Sequence, residues 1–390
     1  MTGRAGQLAG GAHGLAGPKA EKTVSLALQG GGAHGAFTWG VLDRLLEDGR
    51  LDIVAISGTS AGTMNAVALA DGWVRGGAEG ARQKLHDLWR GIARKGRFSP
   101  LQRTPWDMLL GRWSIENSPG YFLFNTLSRA FSPYMANPFN INPVRDVVEA
   151  EIDFDRVRSC RDIKLFVSAT NVETGKLRVF QPEEIDADVV MASACLPHIF
   201  QAVIIDGAPY WDGGYGGNPA IFPFFRATEI EDVLLVQINP VIREGAPRSA
   251  TEIQNRIDEI TFNAALLREF RAIAFVKKLI AAGCLKREEY RDIRMHRIDA
   301  DMAFKGLSAS SKIYAEWAFL EYLRDLGRTA AEDWLEESFE AVGKRPTLDL
   351  SGELEDGLVP VEGRGLGKRV RAFLARRPRP APVARSMADT

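Results

Sequence analysis

The sequence has few of the residues that build disulfide frameworks or metal sites. Its three cysteines, Cys160, Cys195 and Cys284, are odd in number, widely separated and without a Cys-x-x-Cys pair. This usage suggests neither a disulfide scaffold nor a zinc site, and it fits a reducing compartment. No carboxylate-rich loop has the spacing of calcium ligands, so we expect no metal and no other cofactor.

An excess of charge of either sign is also missing. The 390 residues include 49 lysines and arginines against 50 aspartates and glutamates, which gives a formal net charge of −1. Balanced charge provides no global field to attract nucleic acid or an anionic membrane, so we expect no nucleic-acid partner and only local contact with a membrane. No apolar run approaches the length needed to span a bilayer.

The chain is organised around the pentapeptide Gly58-Thr59-Ser60-Ala61-Gly62. The apolar run 53–56 precedes it and the helix-like segment 63–70 follows, which predicts a strand, a sharp turn and a helix. In that context G-x-S-x-G is typical of a nucleophile elbow, where the turn lifts the serine above the sheet edge and the helix N–H groups face an oxyanion. The same residues also fit an ordinary turn between a strand and a helix.

A second glycine-rich loop follows the strand-like run 23–28. Residues 30–35, Gly-Gly-Gly-Ala-His-Gly, lead into a helical pattern, so the loop presents bare N–H groups to an oxyanion or a phosphate. The spacing also matches a dinucleotide fingerprint with Asp52 as its acid, but Asp52 opens the second strand whereas that acid should close it. A P-loop is excluded for want of Gly-Lys-Ser/Thr. We favour an oxyanion hole beside Ser60.

Aromatic residues are concentrated between residues 98 and 139. Nine of these 42 residues are aromatic, more than twice the 9% of the whole chain. Such a segment can be a second hydrophobic cluster under long loops, or a lid or insertion that contacts acyl chains and interfaces.

The later part of the chain contains further strand and helix patterns. Residues 164–170, 177–180 and the continuous apolar run 233–238 are typical of strands, the last buried on both faces. A long helix is predicted over 251–282, with a capping box either at Ser249 and Glu252 or at Thr251 and Gln254. Its apolar residues recur every three or four positions and include Ile253, Ile257, Ile260 and Phe270.

A serine needs a base, and two arrangements compete for that role. The run 202–210 resembles a hairpin that leads into Asp212-Gly213-Gly214, where the glycines leave the carboxylate unobstructed, although Asp-Gly alone is more often a turn. An α/β-hydrolase triad in the order Ser60, Asp212, His296 is also consistent with the sequence. Against it, such hydrolases carry several strands before the nucleophile, and Ser60 ends the second.

Four motifs together resemble those of bacterial patatin-like phospholipases. They are residues 30–35, 58–62, 192–197 (Ala-Ser-Ala-Cys-Leu-Pro) and 212–219 (Asp-Gly-Gly, then Asn-Pro), in that family's order and spacing over about residues 23–240. The resemblance implies an α/β three-layer fold with a mostly parallel central sheet. It also implies hydrolysis of lipid acyl esters through an acyl-enzyme.

The resemblance further implies the site residues. Ser60 is the expected nucleophile and Asp212 the base acting on it directly, without a histidine, while Gly58 and Gly62 form the elbow. Many relatives carry Arg or Lys where this chain has His34, which is charged only when protonated, and a helix N-terminus disfavours that. The oxyanion hole is expected to be formed by Gly30, Gly31, Gly32 and Ala61.

These inferences define the expected organisation and partners. We expect a disordered leader over 1–22, an acyl hydrolase domain over 23–345 and a mostly disordered tail over 346–390. The domain would include an aromatic-rich insertion at 98–140 and a C-terminal helical part at 250–345. The expected partner is a lipid or acyl-ester substrate, with peripheral membrane contact through 98–139 in an otherwise cytoplasmic protein. The oligomeric state stays open.

Two alternatives remain at this stage. One keeps the Ser–Asp dyad and changes the substrate to a polyester or an acyl thioester. The other is a lipid-binding or regulatory protein whose site is idle.

Overall fold

The computed structural model describes residues 20–243, 245–300, 303–304 and 306–354. The predicted leader over 1–22 lies almost entirely outside these residues, as does most of the predicted tail, so both stay predictions. The chain divides into two units, residues 1–349 and residues 350–390. In its described part the second unit contains one short helix, Leu350–Leu354.

The first unit is built on a sheet that has eight strands within the described residues. The strands are β1 Lys22–Leu28, β2 Leu51–Gly58, β3 Lys164–Asn171, β4 Leu177–Phe180, β5 Val203–Ile205, β6 Ala208–Asp212, β7 Asp232–Val236 and β8 Arg294–Ile298. Their order is β5-β6-β3-β2-β1-β7-β8, with β4 paired to β3. The pairs from β3 through β2, β1 and β7 to β8 are parallel, whereas β4, β5 and β6 pair antiparallel.

Helices account for most of the remaining regular structure. They are α1 Gly35–Asp48, α2 Ala61–Gly96, α3 Pro105–Leu109, α4 Pro119–Ala130, α5 Pro133–Ala136, α6 Pro143–Glu151, α7 Phe154–Ser159, α8 Ala187–Ser193, α9 Phe224–Ala227, α10 Ala250–Ala281 and α11 Trp317–Ser338. Helix α2 is interrupted at Gly76 and Gly77, and Gly77 adopts a left-handed φ of 61°. Short 3-10 helices include Gly32–His34 and Ala309–Ile313.

The central strands are covered on both faces. Every residue of 24–28 in β1 and of Asp232–Val236 in β7 is buried. Because successive side chains of a strand point to opposite faces, this burial requires a helical layer on each side of the sheet. The mostly parallel sheet between helices confirms the predicted three-layer α/β fold.

The parallel pairing places the two predicted loops side by side. Leu28 at the end of β1 lies opposite Gly58 at the end of β2, so the glycine loop and the serine turn leave the sheet at the same edge. On the other side of β2, Ala169 of β3 lies opposite Asp212, the last residue of β6. The hairpin of β5 and β6 turns at Asp206 and Gly207, both with positive φ, as expected for an Asp-Gly turn.

Helix α10 forms where the sequence predicts it, but its apolar residues are not all used in the core. The capping box of Ser249 and Glu252 is present, and Phe270 is fully buried. Ile253, Ile257 and Ile260 are about half exposed instead. The periodic pattern therefore predicts the helix correctly while overstating how much of that face is covered.

The aromatic-rich segment combines both structures that the sequence allows. It contains α3, α4 and α5, and Trp113 packs against the rings of Phe319 and Tyr322 of α11. By contrast, Phe98 is 90% exposed and Phe139 is 86% exposed. One part of the segment thus belongs to the core, and another presents aromatic surface to solvent.

The contact between α1 and α11 yields a prediction about stability. A Cβ added to Gly40 would lie 1.9 Å from the carbonyl oxygen of Arg324, so alanine forces two helix backbones apart. We expect Gly40→Ala to lower the free energy of unfolding by about 1–3 kcal/mol, measured by urea denaturation. The control is Gly306→Ala, whose Cβ would lie 3.5 Å from the carbonyl oxygen of Ala303 and should change stability little. A Gly40→Ala protein as stable as the wild type would contradict this account.

Candidate active site

Ser60 occupies the turn between β2 and α2 in a conformation that side chains rarely adopt. Its φ is 55° and its ψ is −121°, outside the regions favoured by residues other than glycine. The Ser60 N–H donates to the Ser193 hydroxyl at 2.9 Å, and that hydroxyl lies 2.9 Å from Thr63 Oγ1. Ser193 is fully buried at the end of α8, so the strained turn is held in place by a neighbouring helix.

The glycines of the elbow are required by close backbone contacts. A Cβ on Gly62 would lie 2.2 Å from the carbonyl oxygen of Leu28, and one on Gly58 would lie 2.7 Å from the backbone nitrogen of Thr63. The first turn of α2 therefore folds directly over the end of β1. No residue with a side chain fits these two positions without moving backbone.

The glycine loop passes against the serine turn. A Cβ on Gly30 would lie 2.7 Å from Ser60 Cβ. The Gly30 N–H donates to Asn218 Oδ1 at 2.6 Å, so this donor is committed, and the structure differs here from the expectation that Gly30 contributes to an oxyanion hole. Within the part of the chain that is described, the N–H groups of Gly31, Gly32 and Ala61 have no hydrogen-bond partner.

Asp212 is fully buried at the end of β6. Its Oδ1 accepts a hydrogen bond from the Gly214 N–H at 2.7 Å. Burial raises its pKa from 3.8 to about 7, while the Gly214 N–H and the Ser60 hydroxyl lower it. The Ser60 side chain is thus close enough to affect this carboxyl, although Oδ2 has no hydrogen bond of regular geometry among the described residues. Ser60 and Asp212, which are far apart in the sequence, are therefore close together in the structure.

An apolar wall keeps the carboxyl dry. Tyr210, two residues before Asp212 on β6, is buried. Phe262 of α10 lies against the glycines after Asp212: a Cβ on Gly214 would lie 2.3 Å from a carbon of the Phe262 ring, and the ring centroids of Phe262 and Tyr215 are 5.3 Å apart. The sequence contains no local signal for Phe262, because its role depends on where α10 crosses the sheet edge.

His296 does not provide a base for Ser60. Nε2 of His296 lies 3.0 Å from Asp232 Oδ1, and its Nδ1 lies 3.0 Å from Thr347 Oγ1. Both ring nitrogens are engaged away from the serine, so the alternative triad with His296 is wrong.

His34 is buried beside the glycine loop, and its Nε2 lies 2.7 Å from Ser311 Oγ. Burial lowers its pKa well below 6.5, and the nearby charges of Lys312 and Arg243 lower it further. The His34 ring is therefore neutral at physiological pH.

The described residues lack two features that other classes of protein require. Across the described ranges, no three His, Cys, Asp or Glu side chains gather in a way that could hold a metal ion. In the same ranges, no helix combines the length and the apolar character needed to cross a membrane.

Comparison with known proteins gives a family match. The patatin-like phospholipase family matches residues 26–225, just over half of the chain. No curated protein matches.

Solved structures with similarity to the chain include three from different organisms. VipD from Legionella pneumophila is 18% identical, with 78% of this chain and 67% of VipD covered and a TM-score of 0.33. ExoU from Pseudomonas aeruginosa, in complex with SpcU, is 16% identical, with 80% of this chain and 54% of the ExoU chain covered and a TM-score of 0.26. Human GIVD cytosolic phospholipase A2, in complex with methyl gamma-linolenyl fluorophosphonate, is 13% identical, with 81% of this chain and 60% of the human chain covered and a TM-score of 0.30. The chain thus spans less than two thirds of ExoU and of the human enzyme.

The fold and the family match define a lipid acyl hydrolase, which is a carboxylic ester hydrolase. The chain belongs to the patatin-like phospholipase family.

The buried carboxyl yields a prediction about stability and pH. The pKa of Asp212 is about 7 in the folded protein and near 3.8 without burial. Between these two pH values the unfolded chain has already released the proton while the folded protein still holds it. The folded state therefore loses stability as the pH rises from about 4 to about 7. Asn cannot ionise, so its contribution to stability does not change with pH. We therefore expect the free energy of unfolding of Asp212→Asn, relative to that of the wild type, to increase by on the order of a few kcal/mol between pH 4 and pH 8.

Chemical denaturation of both proteins at several pH values measures this difference. The control is Asp52→Asn, which makes the same change of carboxyl to amide at an exposed position of β2 outside the site. A gap between Asp212→Asn and wild type that is the same at pH 4.5 and pH 8 would rule out a raised pKa at this carboxyl.

Proposed function

We propose that this protein hydrolyses fatty-acyl esters of phospholipids and related lipids, with Ser60 as nucleophile and Asp212 as general base. The proposal rests mainly on one observation, the fully buried carboxyl with a pKa near 7 beside a serine in a strained turn. An ordinary carboxylate is too weak a base to activate an alcohol at neutral pH. A raised pKa brings its basicity toward the operating pH, and perturbed pKa values are concentrated at functional sites.

In the acylation step, Ser60 Oγ attacks the ester carbonyl carbon and its proton passes to Asp212 Oδ2. The carbonyl oxygen becomes an oxyanion. When the tetrahedral intermediate collapses, the bond to the leaving alkoxide breaks and Asp212 returns the proton to that oxygen. The Oδ2 atom suits this role because Oδ1 already accepts from Gly214, which leaves Oδ2 available for the proton.

The oxyanion would be stabilised by the N–H groups of Gly31, Gly32 and Ala61. These three donors lack partners within the described residues; Ala61 follows Ser60, and Gly31 and Gly32 continue the loop that contacts Ser60 at Gly30. Backbone donors fixed in advance by a rigid loop need no reorganisation when charge develops, which is why such donors contribute strongly to catalysis. Gly30 is better assigned to bringing the loop against Ser60, since its own N–H is bonded to Asn218.

Deacylation would reverse these roles with water. Asp212 accepts a proton from water, the resulting hydroxide attacks the acyl carbon, and the bond to Ser60 Oγ breaks. The proton then returns from Asp212 to Ser60, and a fatty acid is released. The apolar wall of Phe262 and Tyr215 supports both steps by keeping bulk water away from the carboxyl.

We further propose that the aromatic-rich segment binds the lipid surface. Nine large apolar side chains between residues 98 and 141 are more than half exposed, and exposed apolar patches mark interaction sites. The segment is tied to the chain just before β5, because Gln201 Nε2 donates to the Asn137 carbonyl oxygen at 2.9 Å. The nine residues are Phe98, Trp106, Leu109, Phe122, Leu123, Tyr134, Met135, Phe139 and Ile141.

A fluorophosphonate probe tests the dyad. We expect the probe to modify Ser60, as identified by peptide mapping, and not to react in Ser60→Ala. In Asp212→Asn the rate of labelling should fall by about 10³-fold or more, because the serine loses its base. For the wild type, kcat/KM on a soluble ester should rise about tenfold per pH unit below pH 7 and stop rising above it, because Asp212 must be deprotonated to act.

The control is Ser159→Ala, which removes an exposed serine at the end of α7 and should leave labelling of Ser60 unchanged. Labelling at another residue, or at Ser60 with full speed in Asp212→Asn, would contradict the dyad. Complete absence of labelling in the wild type would favour the alternative of an idle lipid-binding site.

Vesicles test the lipid surface. The double substitution Phe122→Ser and Leu123→Ser removes two exposed apolar side chains of α4. We expect hydrolysis of phospholipid vesicles to fall by at least about tenfold, because burying each such side chain contributes about 1.5–3 kcal/mol. Hydrolysis of a soluble short-chain ester should stay within about twofold, since chemistry at Ser60 is untouched.

The control for this experiment is Val74→Ser, an exposed apolar residue of α2 outside the segment. It should leave both activities unchanged. Equal losses on vesicles and on the soluble ester would show that α4 supports the site instead of binding lipid.

A further inference from the structure

A lysine lies directly behind the glycine loop. Lys312 belongs to the 3-10 helix Ala309–Ile313, and a Cβ on Gly32, which has a φ of +61°, would lie 2.2 Å from the Lys312 carbonyl oxygen. The side chain is partly exposed, but its ammonium nitrogen donates a hydrogen bond inward to Asn239 Oδ1 at 2.8 Å. The residue thus touches the loop through its backbone and faces it with its charge.

Asn239 connects this charge to the loop. Its Nδ2 donates to the Gly30 carbonyl oxygen at 2.6 Å and to Gln29 Oε1 at 3.0 Å. Gln29 Oε1 also accepts from the N–H groups of Ile238 and Asn239, each at 2.9 Å. Asn239 and Gln29 are fully buried, so the amide is held in one orientation by several hydrogen bonds.

The chain of donors ends on a peptide group that belongs to the oxyanion loop. The Gly30 carbonyl and the Gly31 N–H are the two ends of one peptide unit. A hydrogen bond to the carbonyl draws electron density away from the nitrogen, and linked hydrogen bonds polarise one another in this way. The Gly31 N–H at the other end of this peptide unit has no partner within the described residues. It can therefore donate a strengthened hydrogen bond to a ligand.

Lys312 makes no close ion pair with another described residue. Within the described ranges its hydrogen bond is to Asn239, and no carboxylate lies within ion-pair distance. The charged groups facing it are Asp258 and Glu259 of α10 and Arg243, and neutral His34 lies nearby. A partly buried cation without an ion-pair partner is costly to the folded state, which points to a functional reason for its placement.

We propose that Lys312 is a positioning residue for acyl transfer: through the Asn239 amide and the Gly30 carbonyl, its ammonium group fixes the glycine loop and strengthens the Gly31 N–H as an oxyanion donor. This inference rests on the proposed reaction at Ser60 and adds a residue from a distant segment that no motif includes. The ligand it serves is the anionic tetrahedral intermediate of an ester.

The charge should give the reaction an alkaline limit. Burial lowers the pKa of Lys312 from 10.5, and Arg243 lowers it further, while Glu259 and Asp258 raise it. Loss of the proton removes the positive charge, so kcat falls as the pH rises through this lowered pKa. Arginine stays charged throughout this range, and a Lys312→Arg protein should lack that decline.

The test compares kcat, KM and pH profiles on a soluble ester for Lys312→Met, Lys312→Arg and wild type. We expect Lys312→Met to lower kcat by about 10- to 100-fold, less than the loss of a whole oxyanion donor, with KM within about threefold. Lys312→Arg should recover most of the loss at neutral pH. Asn239→Ala and the double variant Asn239→Ala with Lys312→Met should have the same kcat. The charge acts through Asn239, so removing Lys312 has no further effect once Asn239 is gone.

The matched control is Lys344→Met, an exposed lysine paired with Glu340, which should keep wild-type kinetics. If Lys312→Met does not fold, the pH profiles of wild type and Lys312→Arg test the same claim. The inference is overturned if Lys312→Met keeps kcat within about threefold, if arginine restores nothing, or if the alkaline decline persists in Lys312→Arg. Failure of the proposed function is a separate result, since it would appear as full activity in Ser60→Ala.

Discussion

The parallel pairing of β1 with β2 is the interaction on which the site depends. It brings the carboxyl ends of both strands to one edge, with Leu28 opposite Gly58. The glycine loop and the serine turn are then in contact, so closely that a Cβ on Gly30 would lie 2.7 Å from Ser60 Cβ. A chain that paired these strands in another register would separate the donors from the serine, because each residue of slip moves the loop by more than 3 Å.

Around this edge the molecule accepts arrangements that cost stability. Ser60 has a positive φ, the Asp212 carboxyl is fully buried and Lys312 carries a charge without an ion-pair partner among the described residues. Each is unfavourable by itself. The surrounding structure holds them in place, through Ser193 at the Ser60 N–H, Gly214 at the carboxyl and Asn239 at the ammonium group. Such concentrations of strain and buried charge are typical of functional sites.

Much of the fold could be predicted because the local patterns agree with the tertiary structure. The apolar run of β7 is buried throughout, the Asp-Gly turn forms the hairpin before Asp212, and α10 begins with its predicted capping box. The errors arise where a local pattern must be completed by distant residues. Ile257 of α10 has the periodicity of a core residue, yet it is half exposed, because periodicity defines a face and not what covers it.

The errors at the site have the same origin. The position of Gly30 in the glycine loop predicts an oxyanion donor. Its N–H is instead hydrogen-bonded to Asn218, which lies nearly two hundred residues away in the chain. His296 stands in the right order for a triad, but Asp232 and Thr347 hold both of its ring nitrogens. In each case a residue remote in sequence decides which atoms remain available, and spacing along the chain does not encode that.

The sequence by itself determined the sharp turn around Ser60, the glycine loop and the family, because steric limits on glycine and the strand-turn-helix order act over a few neighbouring residues. Only the tertiary structure decided that Asp212 is dry enough for its pKa to reach about 7, that Phe262 covers it and that Lys312 lies behind the loop. Burial and electrostatic contact depend on which distant segments fill the space around a group, and this is settled when the helices pack on the sheet.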